Sequence, residues 1–289
     1  MKIGFIGLGN LGTPIAENIL ASGHELYVYN RTASKTKPLV DKGAIEVGSV
    51  KALAEECAFI ITMVSDDKAL KMITEGADGL VNNMQRGGVH LSMSTILPLT
   101  AEELSQQHIQ NGSQYLATPV FGRPDAARAR KLNFVVSGDA KLRQQFEQLL
   151  KDAGGAGVWD FGDNITAANT VKLCGNFTIA AAMEAIGESA ALASNSGVDA
   201  LKMWNFFGQT IFNAPIYQNY SKIIVNQQFT PAAFTAQLGL KDLNLVLSQA
   251  GQVQQKMPLA DLLKRHMLEV IKKDPEMDWS AVATGGQSS

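Results

Sequence analysis

Hydrophobic residues in the first 150 positions fall into short runs that alternate with segments of helical spacing. Lys2–Ile6, Glu25–Tyr29 and Ala58–Val64 are compact apolar runs typical of buried strands, whereas Asn10–Ser22 and Ser49–Glu56 have helical periodicity. Buried strands separated by helices require crossover connections, which produce a parallel sheet covered on both faces. The pattern therefore predicts an N-terminal α/β domain with a Rossmann-type, doubly wound parallel sheet.

The rest of this half continues the same alternation. A further helix is predicted at Ser34–Asp41, and Ser49 is placed to cap the helix that follows it. Three more strands are predicted, at Val89–Met93, Gln114–Leu116 and Leu132–Val136.

The pattern changes after Trp159, where nearly every segment has helical spacing. Asn164–Ser194 is long enough for one helix of about thirty residues, roughly 45 Å in length. Shorter helices are predicted at Asp199–Phe207, Pro215–Val225, Lys241–Gln252 and Pro258–Lys273. The residues after Asp278 are expected to be frayed. We therefore predict two domains, residues 1–162 and an all-helical domain of residues 163–289, joined by the long helix.

Composition and charge exclude several classes of protein. The 289 residues are 46% hydrophobic and 18% charged with a net charge of −2, which favours a globular protein and gives no electrostatic reason to expect nucleic acid or an anionic membrane. The most apolar long stretch, Val171–Ala193, contains Lys172, Glu184 and Glu188, which disfavour a membrane span. Two cysteines cannot form a disulfide framework, and no signal peptide is visible, so we expect a cytoplasmic protein.

The segment between the first strand and the first helix reads Gly7-Leu8-Gly9-Asn10-Leu11-Gly12, in G-x-G-x-x-G spacing. The first glycine permits a tight turn, the second lets backbone approach a pyrophosphate, and the third lets the helix pack against the strand. The helix N-terminus then offers N–H groups to the phosphates. These six residues are predicted to bind a dinucleotide; the alternative is a merely structural turn.

The residues after the second strand distinguish NAD from NADP. An NAD site usually has an Asp or Glu there, which accepts hydrogen bonds from the ribose hydroxyls. This chain has Asn30-Arg31-Thr32, with Lys35 shortly after. Arg31 can stack on adenine and pair with a 2′-phosphate, and Thr32 can donate to that phosphate. NADP(H) is therefore predicted in preference to NAD(H), unless Arg31 and Lys35 are only solvated surface charges.

With these motifs the chain resembles the β-hydroxyacid dehydrogenase family over nearly its whole length. The other segments that carry the resemblance are Ser94-Thr95-Ile96, Pro119-Val120-Phe121-Gly122, Lys172 with Asn176, and Lys241-Asp242-Leu243. The resemblance implies an NADP(H)-dependent oxidoreductase that transfers hydride between nicotinamide and a small hydroxy acid, semialdehyde or related carbonyl compound. It also implies a homodimer or homotetramer. Aromatic residues of the helical domain, such as Trp204 and Phe206, are predicted to be exposed and to support self-association; the alternative is a purely intramolecular core.

Lys172 is the expected catalytic residue. It lies on the long helix among apolar neighbours, and Asn176 is its i, i+4 partner and shares its face. An ammonium near the substrate can stabilise the negative charge that hydride delivery creates on oxygen, and can donate the proton. The resemblance assigns Lys172 this general acid/base role. The alternative is a lysine that snorkels away from the helix beside a capping amide.

The resemblance assigns further contacts. Lys241, at the start of its predicted helix, would close over the nicotinamide, with Asp242 placing it or binding substrate. Met63 and Val64 end an apolar strand, where an open α/β sheet places its ligands, and are predicted to pack at the nicotinamide end. Thr95 resembles the family residue that bonds near the same ring.

The substrate loop departs from the family pattern. The usual segment reads Pro-Val-Ser-Gly-Gly, whereas this chain has Phe121, Gly122 and Arg123 at the last three positions. The family serine helps orient the substrate carboxylate, which Phe121 cannot do. Backbone N–H groups around Gly122 and the guanidinium of Arg123 are the candidates to replace it, unless Arg123 is only an exposed surface arginine. An apolar wall at Phe121 favours a bulkier or less polar substrate.

Two other functions share these features. An imine reductase has the same fold and cofactor, but such enzymes often carry Asp or Tyr at the position of Lys172. A redox-inactive NADP(H)-binding module is the second alternative, because fold alone does not establish catalysis. None of the four histidines has a partner at metal-ligand spacing, so no metal is expected.

Overall fold

The computed structural model describes residues 1–287, and the chain divides into two compact units, Met1–Lys172 and Leu173–Ser289. The division falls within a single long helix, Ala167–Asn195. The sequence pattern set the domain boundary at 162/163, ahead of this helix, and that functional division stays a prediction. Among residues 1–287, no helix is long and apolar enough to cross a membrane.

The first unit is built on a six-stranded parallel sheet. Its strands are β1 (Lys2–Ile6), β2 (Glu25–Tyr29), β3 (Ile45–Glu46), β4 (Phe59–Thr62), β5 (Val89–Ser92) and β6 (Gln114–Ala117). The spatial order is β3-β2-β1-β4-β5-β6, and each neighbouring pair is parallel. This is the order of the doubly wound dinucleotide-binding fold, so the predicted fold class is confirmed.

Eight helices belong to this unit before the long one: α1 (Gly12–Ala21), α2 (Lys37–Val40), α3 (Val50–Glu56), α4 (Asp67–Thr74), α5 (Leu80–Asn83), α6 (Pro98–Gln110), α7 (Pro124–Arg128) and α8 (Ala140–Asp152). Ser49 caps α3 as expected, because its Oγ accepts a hydrogen bond from the Ala52 N–H at 3.0 Å. The predicted helix Ser34–Asp41 is divided into a short 3₁₀ turn, Ala33–Lys35, and α2.

Apolar residues cover both faces of the sheet. Successive residues of a strand point to opposite faces, so Phe5 packs in one core with residues of α1 and α8, and Ile6 packs in another with residues of α3 and α5. Ile61 and Ile60 divide between the same two cores. A strand buried on both faces reads as an unbroken apolar run, which explains why these strands were visible in the sequence.

A second, three-stranded sheet follows in the chain. It contains β7 (Val120–Phe121), β8 (Leu132–Val136) and β9 (Gly155–Asp160), with β7 and β8 antiparallel and β8 and β9 parallel. The strand predicted at Leu132–Val136 is therefore confirmed, but it belongs to this separate sheet. The segment between β7 and β8 carries α7, so the substrate loop predicted from sequence opens directly out of a strand.

The second unit is helical. It contains most of α9 (Ala167–Asn195), followed by α10 (Ala200–Gln209), α11 (Pro215–Val225), α12 (Ala236–Gln252) and α13 (Pro258–Lys273). The expected long helix and all four shorter ones are present. One boundary was wrong: α12 begins at Ala236, behind a Thr235 cap, so Lys241 lies in the second turn and not at the helix start.

Two further expectations about this unit were wrong. Trp204 is buried, packing against the rings of Phe207 and Tyr217, while Phe206 is exposed. The residues after Asp278 are not frayed as far as residue 287, because Trp279–Gln287 forms a 3₁₀ segment whose first residues are buried. The indole N–H of Trp279 donates to Tyr220 Oη at 2.8 Å and ties this segment to α11. The last two residues of the predicted tail, 288 and 289, lie outside the described residues.

Candidate active site

Close backbone contacts explain why two of the three positions in the turn after β1 are glycine. Gly7 has φ +104°, and a Cβ there would overlap the backbone oxygen of Met63, which ends the neighbouring strand β4. A Cβ on Gly12 would overlap the backbone oxygen of Gly7. Each glycine therefore allows a close approach of backbone to backbone that a larger residue would prevent.

Gly9 differs from its two neighbours in the motif. It is exposed, and a Cβ built on it would meet no atom within 4 Å. The protein's own packing therefore does not require glycine at this position, whereas a ligand that approaches the backbone would. The N-cap of α1, Leu11, makes no side-chain cap, and the first turn contains no acidic residue. Open space above a glycine at the N-terminus of such a helix fits a phosphate group.

Asn30 connects the end of β2 to this turn. Its Oδ1 accepts a hydrogen bond from the Leu8 N–H at 2.9 Å, and its Nδ2 donates to the backbone oxygen of Thr32 at 2.9 Å. The side chain therefore holds the turn and the next loop in one arrangement. Arg31 and Thr32 lie beside it with exposed side chains, and Lys35 follows at the end of the 3₁₀ turn, also exposed.

A cleft of about 470 Å³ opens beside the turn. Four of its lining residues are among the predicted cofactor contacts: Leu8, Gly9, Asn10 and Lys35. The other residues that line it come from α1, from the region around the 3₁₀ turn, and from α7: Thr13, Pro14, Glu17, Ser34, Pro38 and Arg128.

Arg128 was missed by the sequence analysis. It enters the cleft because α7 packs against α1, where Asn18 Nδ2 donates to the backbone oxygen of Ala127 at 2.8 Å. Asn18 and Ala127 are 109 positions apart in the sequence, and no local pattern predicts their contact.

The remaining predicted cofactor contacts follow the carboxyl ends of β4 and β5. Met63 and Val64 come directly after β4 and are half-buried, and the Val64 N–H donates to Ser94 Oγ at 2.9 Å. Thr95 follows β5 and is also half-buried. Since β1, β4 and β5 are parallel neighbours, these residues and the glycine turn lie along the same edge of the sheet, where doubly wound folds bind ligands.

Lys172 lies in the second turn of α9 and is buried, with 8% of its surface exposed. Its Nζ stands over the ring of Phe121 at 4.1 Å from the ring centroid. The negative face of the ring attracts the ammonium group, and the geometry is that of a cation–π interaction. The departure from the family pattern at Phe121 is therefore in direct contact with the predicted catalytic amine.

The loop that begins at Phe121 is shaped by the next residue. Gly122 has φ +144°, and a Cβ there would overlap Cδ2 of Leu132, which begins the neighbouring strand β8. Arg123 then forms the N-cap of α7 with an extended backbone, and its side chain is half-buried. The glycine that the family pattern and this chain share is thus favoured by the loop's own backbone conformation, since a φ of +144° is strained for any other residue.

The other three predicted site residues form a cluster in the second unit. Asp242 is buried on α12, where its Oδ2 accepts a hydrogen bond from Asn176 Nδ2 at 2.5 Å. Its Oδ1 lies 2.7 Å from Lys241 Nζ. A buried carboxylate requires such donors, so Asp242 fixes the orientation of both partners. Asn176 in turn follows Lys172 by one turn of α9.

The residues at the sheet edge fit a dinucleotide, because the open face of Gly9 and the start of α1 provide a phosphate site. Two family profiles match the chain. The first, the NAD binding domain of 6-phosphogluconate dehydrogenase, matches residues 2–168, and the second, the NAD-binding domain of NADP-dependent 3-hydroxyisobutyrate dehydrogenase, matches residues 166–284. The chain belongs to the β-hydroxyacid dehydrogenase family. It is therefore an NAD(P)-dependent oxidoreductase of the kind that acts on CH–OH groups.

Curated relatives agree with this membership. The chain is 40% identical to an oxidoreductase of unassigned substrate, YfjR of Bacillus subtilis (strain 168), over 98% of each chain. It is 28% identical to the 2-hydroxy-3-oxopropionate reductase of Escherichia coli (strain K12), over 89% of this chain and 87% of the relative.

Solved structures share the fold over almost the full length. The 3-hydroxyisobutyrate dehydrogenase of Mycobacterium tuberculosis, solved with L-serine, has a TM-score of 0.88 at 22% identity and 99% coverage of each chain. Psf3, in complex with NADP⁺ and 2-OPP, has a TM-score of 0.88 at 24% identity, covering 98% of this chain and 99% of its own. An imine reductase of Streptomyces aurantiacus is less similar, with a TM-score of 0.66 at 20% identity and 98% coverage of each chain.

Proposed function

We propose that this chain is an NADP(H)-dependent dehydrogenase or reductase that interconverts a carbonyl compound and its alcohol, with Lys172 as the general acid and base. The observation that carries the proposal is the buried Lys172 ammonium held over the Phe121 ring, at 4.1 Å from its centroid. A buried primary amine is costly unless its surroundings stabilise it, and buried ionisable groups concentrate at functional sites.

The proton and the hydride travel to different atoms of the substrate. When bound, the nicotinamide supplies the hydride to the carbonyl carbon in reduction and accepts it in oxidation. Lys172 donates a proton from its ammonium to the carbonyl oxygen as the π electrons move onto that oxygen. In the oxidative direction the neutral amine accepts the hydroxyl proton. General acid catalysis of this kind contributes about 10²- to 10⁴-fold to a rate.

The cluster of Asn176, Lys241 and Asp242 is proposed to support this chemistry. Asn176 lies one turn after Lys172 and is held by Asp242, so its amide is fixed for contact with the amine or the substrate oxygen. Lys241 is held by the same carboxylate. We assign Lys241 to the nicotinamide end of the cofactor and Asp242 to placing Lys241 and Asn176.

The preference for NADP(H) over NAD(H) is supported by the residues after β2. No carboxylate stands at residues 30–32 to accept from the ribose hydroxyls, and the exposed Arg31, Thr32 and Lys35 provide donors and positive charge for a 2′-phosphate. Asn30 holds their loop against the glycine turn. Met63, Val64 and Thr95 are assigned to the nicotinamide end.

The substrate is proposed to be a semialdehyde, 2-oxo acid or related carbonyl compound with an apolar part beside its reacting carbon. Phe121 replaces the serine of the family pattern, so no hydroxyl is available at that position to orient a carboxylate. Its ring presents an apolar surface next to the Lys172 amine. Backbone N–H groups around Gly122 and the guanidinium of Arg123 are assigned to any carboxylate that the substrate carries.

The direct test follows NADPH oxidation at 340 nm against semialdehydes, 2-oxo acids and cyclic imines. Turnover of carbonyl compounds is expected, with NADPH bound more tightly than NADH and with the difference reduced in Arg31→Ala. Turnover of imines alone would instead establish an imine reductase. Tight NADPH binding without turnover of any compound would indicate a redox-inactive module, and equal binding of both cofactors would contradict the assignment of Arg31.

We also propose that the chain forms a homodimer or homotetramer. The large apolar side chains of Phe206 and Ile211, which are 60% and 69% exposed, support this proposal. Light scattering on the purified chain is expected to give twice or four times the mass of one chain, and a monomer at micromolar concentration would contradict it.

A further inference from the structure

We infer that Arg128 binds phosphate oxygens of the nicotinamide cofactor, as a ligand that lies outside the glycine motif and outside the loop after β2. The inference rests on the proposed function, since it assigns a further contact to the same cofactor. Arg128 ends α7, the short helix that follows the substrate loop. The same segment of chain would therefore contact the substrate at its beginning and the cofactor at its end.

The position of Arg128 is set by a docked backbone. Asn18, on α1, donates from Nδ2 to the backbone oxygens of Ala127 at 2.8 Å and Ala153 at 3.3 Å. Ala127 itself is fully buried against this surface. The residue that follows it is consequently held beside α1, with an exposed side chain at the cleft that also contains Gly9 and Lys35.

The charges around the cleft favour an anion. Lys35 and Arg128 line it together with one carboxylate, Glu17, whose Oε1 is paired with Lys42 Nζ at 2.6 Å. The pairing leaves the positive charge of the other two residues in excess. A guanidinium is always charged and presents its donors in a planar fork that matches two oxygens of a phosphate.

Arg130, a second arginine of the same segment, has a structural role. Arg130 donates from Nη2 to Ser22 Oγ at 3.0 Å and to the backbone oxygen of Asp152 at 2.9 Å. It thus connects the end of α1 to the end of α8. Arg128, two residues earlier, lines the cleft instead.

Two groups of the proposed cofactor have the required chemistry. The pyrophosphate belongs over Gly9 and the start of α1, and the 2′-phosphate belongs near Lys35. Both residues line the cleft with Arg128, so the shared ligand chemistry is a phosphate oxygen, and a comparison of NADPH with NADH separates the two groups.

The experiment titrates the full chain with NADPH and, separately, with NADH, following the cofactor's fluorescence at low and at high salt. Arg128→Gln removes the charge at the cleft, and Arg128→Lys retains it. Lys131→Gln is the matched control, because it removes one exposed positive charge three residues away and outside the cleft. We expect Arg128→Gln to raise the Kd about 10-fold at low salt, the usual size of a lost charge-assisted contact, and less at high salt. Arg128→Lys should recover part of the affinity, and Lys131→Gln should bind as the wild type does.

Each outcome has one meaning. A loss for NADPH alone supports a contact to the 2′-phosphate, and a loss for both cofactors supports a contact to the pyrophosphate. Unchanged affinity of Arg128→Gln for both cofactors, with the wild type binding normally, overturns this inference and leaves the proposed function standing. Failure of the wild type to bind either cofactor contradicts the proposed function itself.

Discussion

The glycine turn after β1 and the loop after β7 illustrate two different constraints within one domain. In the turn, every glycine of the family pattern is present, and Gly7 and Gly12 are required by contacts between backbone atoms. In the loop, Gly122 is favoured by its positive φ, but its neighbours Phe121 and Arg123 depart from the pattern. If the two segments bind cofactor and substrate as proposed, the phosphate turn is constrained by backbone contacts, whereas the side chains that flank Gly122 can be exchanged without changing the fold.

The largest expected effect separates packing from ligand binding within the turn. Gly12→Ala places a Cβ on the backbone oxygen of Gly7, so strand and helix must move apart. We expect a loss of about 3 kcal/mol in the free energy of unfolding, measured with urea, and no detectable NADPH binding.

Gly9→Ala is the matched control, since its Cβ would meet no atom of the protein within 4 Å. Its stability should stay within about 0.5 kcal/mol of the wild type. Its NADPH affinity should nevertheless fall at least 10-fold, because the methyl group occupies the space assigned to the phosphates. Wild-type affinity in Gly9→Ala would mean that no phosphate approaches this backbone.

A smaller effect is expected in the substrate loop. Phe121→Ser restores the hydroxyl of the family pattern and removes the ring beneath the Lys172 ammonium. The ratio of kcat/KM for a small carboxylate-bearing semialdehyde to that for a bulkier carbonyl compound should rise roughly 10-fold, since a single hydroxyl or apolar contact discriminates substrates on that scale. NADPH affinity should not change.

Phe121→Tyr is the control for this substitution, because it keeps the aromatic ring. Its substrate ratio should remain that of the wild type. If Phe121→Ser and Phe121→Tyr have the same ratio, the ring does not determine which substrate is accepted.

The smallest functional effect is expected at a buried histidine pair, His90 and His108. His90 Nδ1 and His108 Nε2 are 3.0 Å apart, His90 Nε2 lies 2.9 Å from Thr62 Oγ1, and His108 Nδ1 lies 2.8 Å from Ser113 Oγ. Both rings are fully buried. Burial lowers the pKa of His108 to about 4 and, together with the neighbouring His108, lowers the pKa of His90 well below 6.5.

The sign of the pH dependence follows from those shifts. Below about pH 6.5 the histidines of the unfolded chain take up protons while the buried pair stays neutral, so the unfolded state binds more protons. The free energy of unfolding should therefore fall as the pH decreases from 6.5 towards 4. His108→Gln should have a shallower pH dependence and unchanged NADPH affinity at pH 7.5. An equal pH slope in the variant and the wild type would contradict this account of the pair.

Much of the fold could be predicted because its determinants are local. Strands buried on both faces appear in the sequence as apolar runs, and Ser49 marks the start of α3 because it is an N-cap residue. The two-residue strand β7 and the Gly-Ala-Gly start of β9 carry too little apolar pattern to be recognised. The prediction that Trp204 is exposed was wrong, because aromatic residues of its own helix and of α11 cover it. The C-terminal segment was predicted to be frayed because its small side chains give no recognisable apolar pattern, although its first residues are buried.

The candidate site residues were assigned from sequence for similar reasons, and their roles stay predictions. Its glycine motif and the residues after β2 lie within short segments whose spacing carries the information. Contacts between distant segments could not be predicted. They include the packing that brings Arg128 to the cleft and the position of the Lys172 ammonium over Phe121. Both depend on tertiary packing, which no spacing rule encodes.

The central claim is that the Lys172 amine moves the proton during hydride transfer. A single-turnover experiment mixes the NADPH-saturated enzyme with an accepted carbonyl substrate and follows absorbance at 340 nm in the wild type and in Lys172→Ala. The account predicts a rate at least about 100-fold lower in the variant, with NADPH affinity and thermal stability retained. Hydride transfer at the wild-type rate in Lys172→Ala would contradict it.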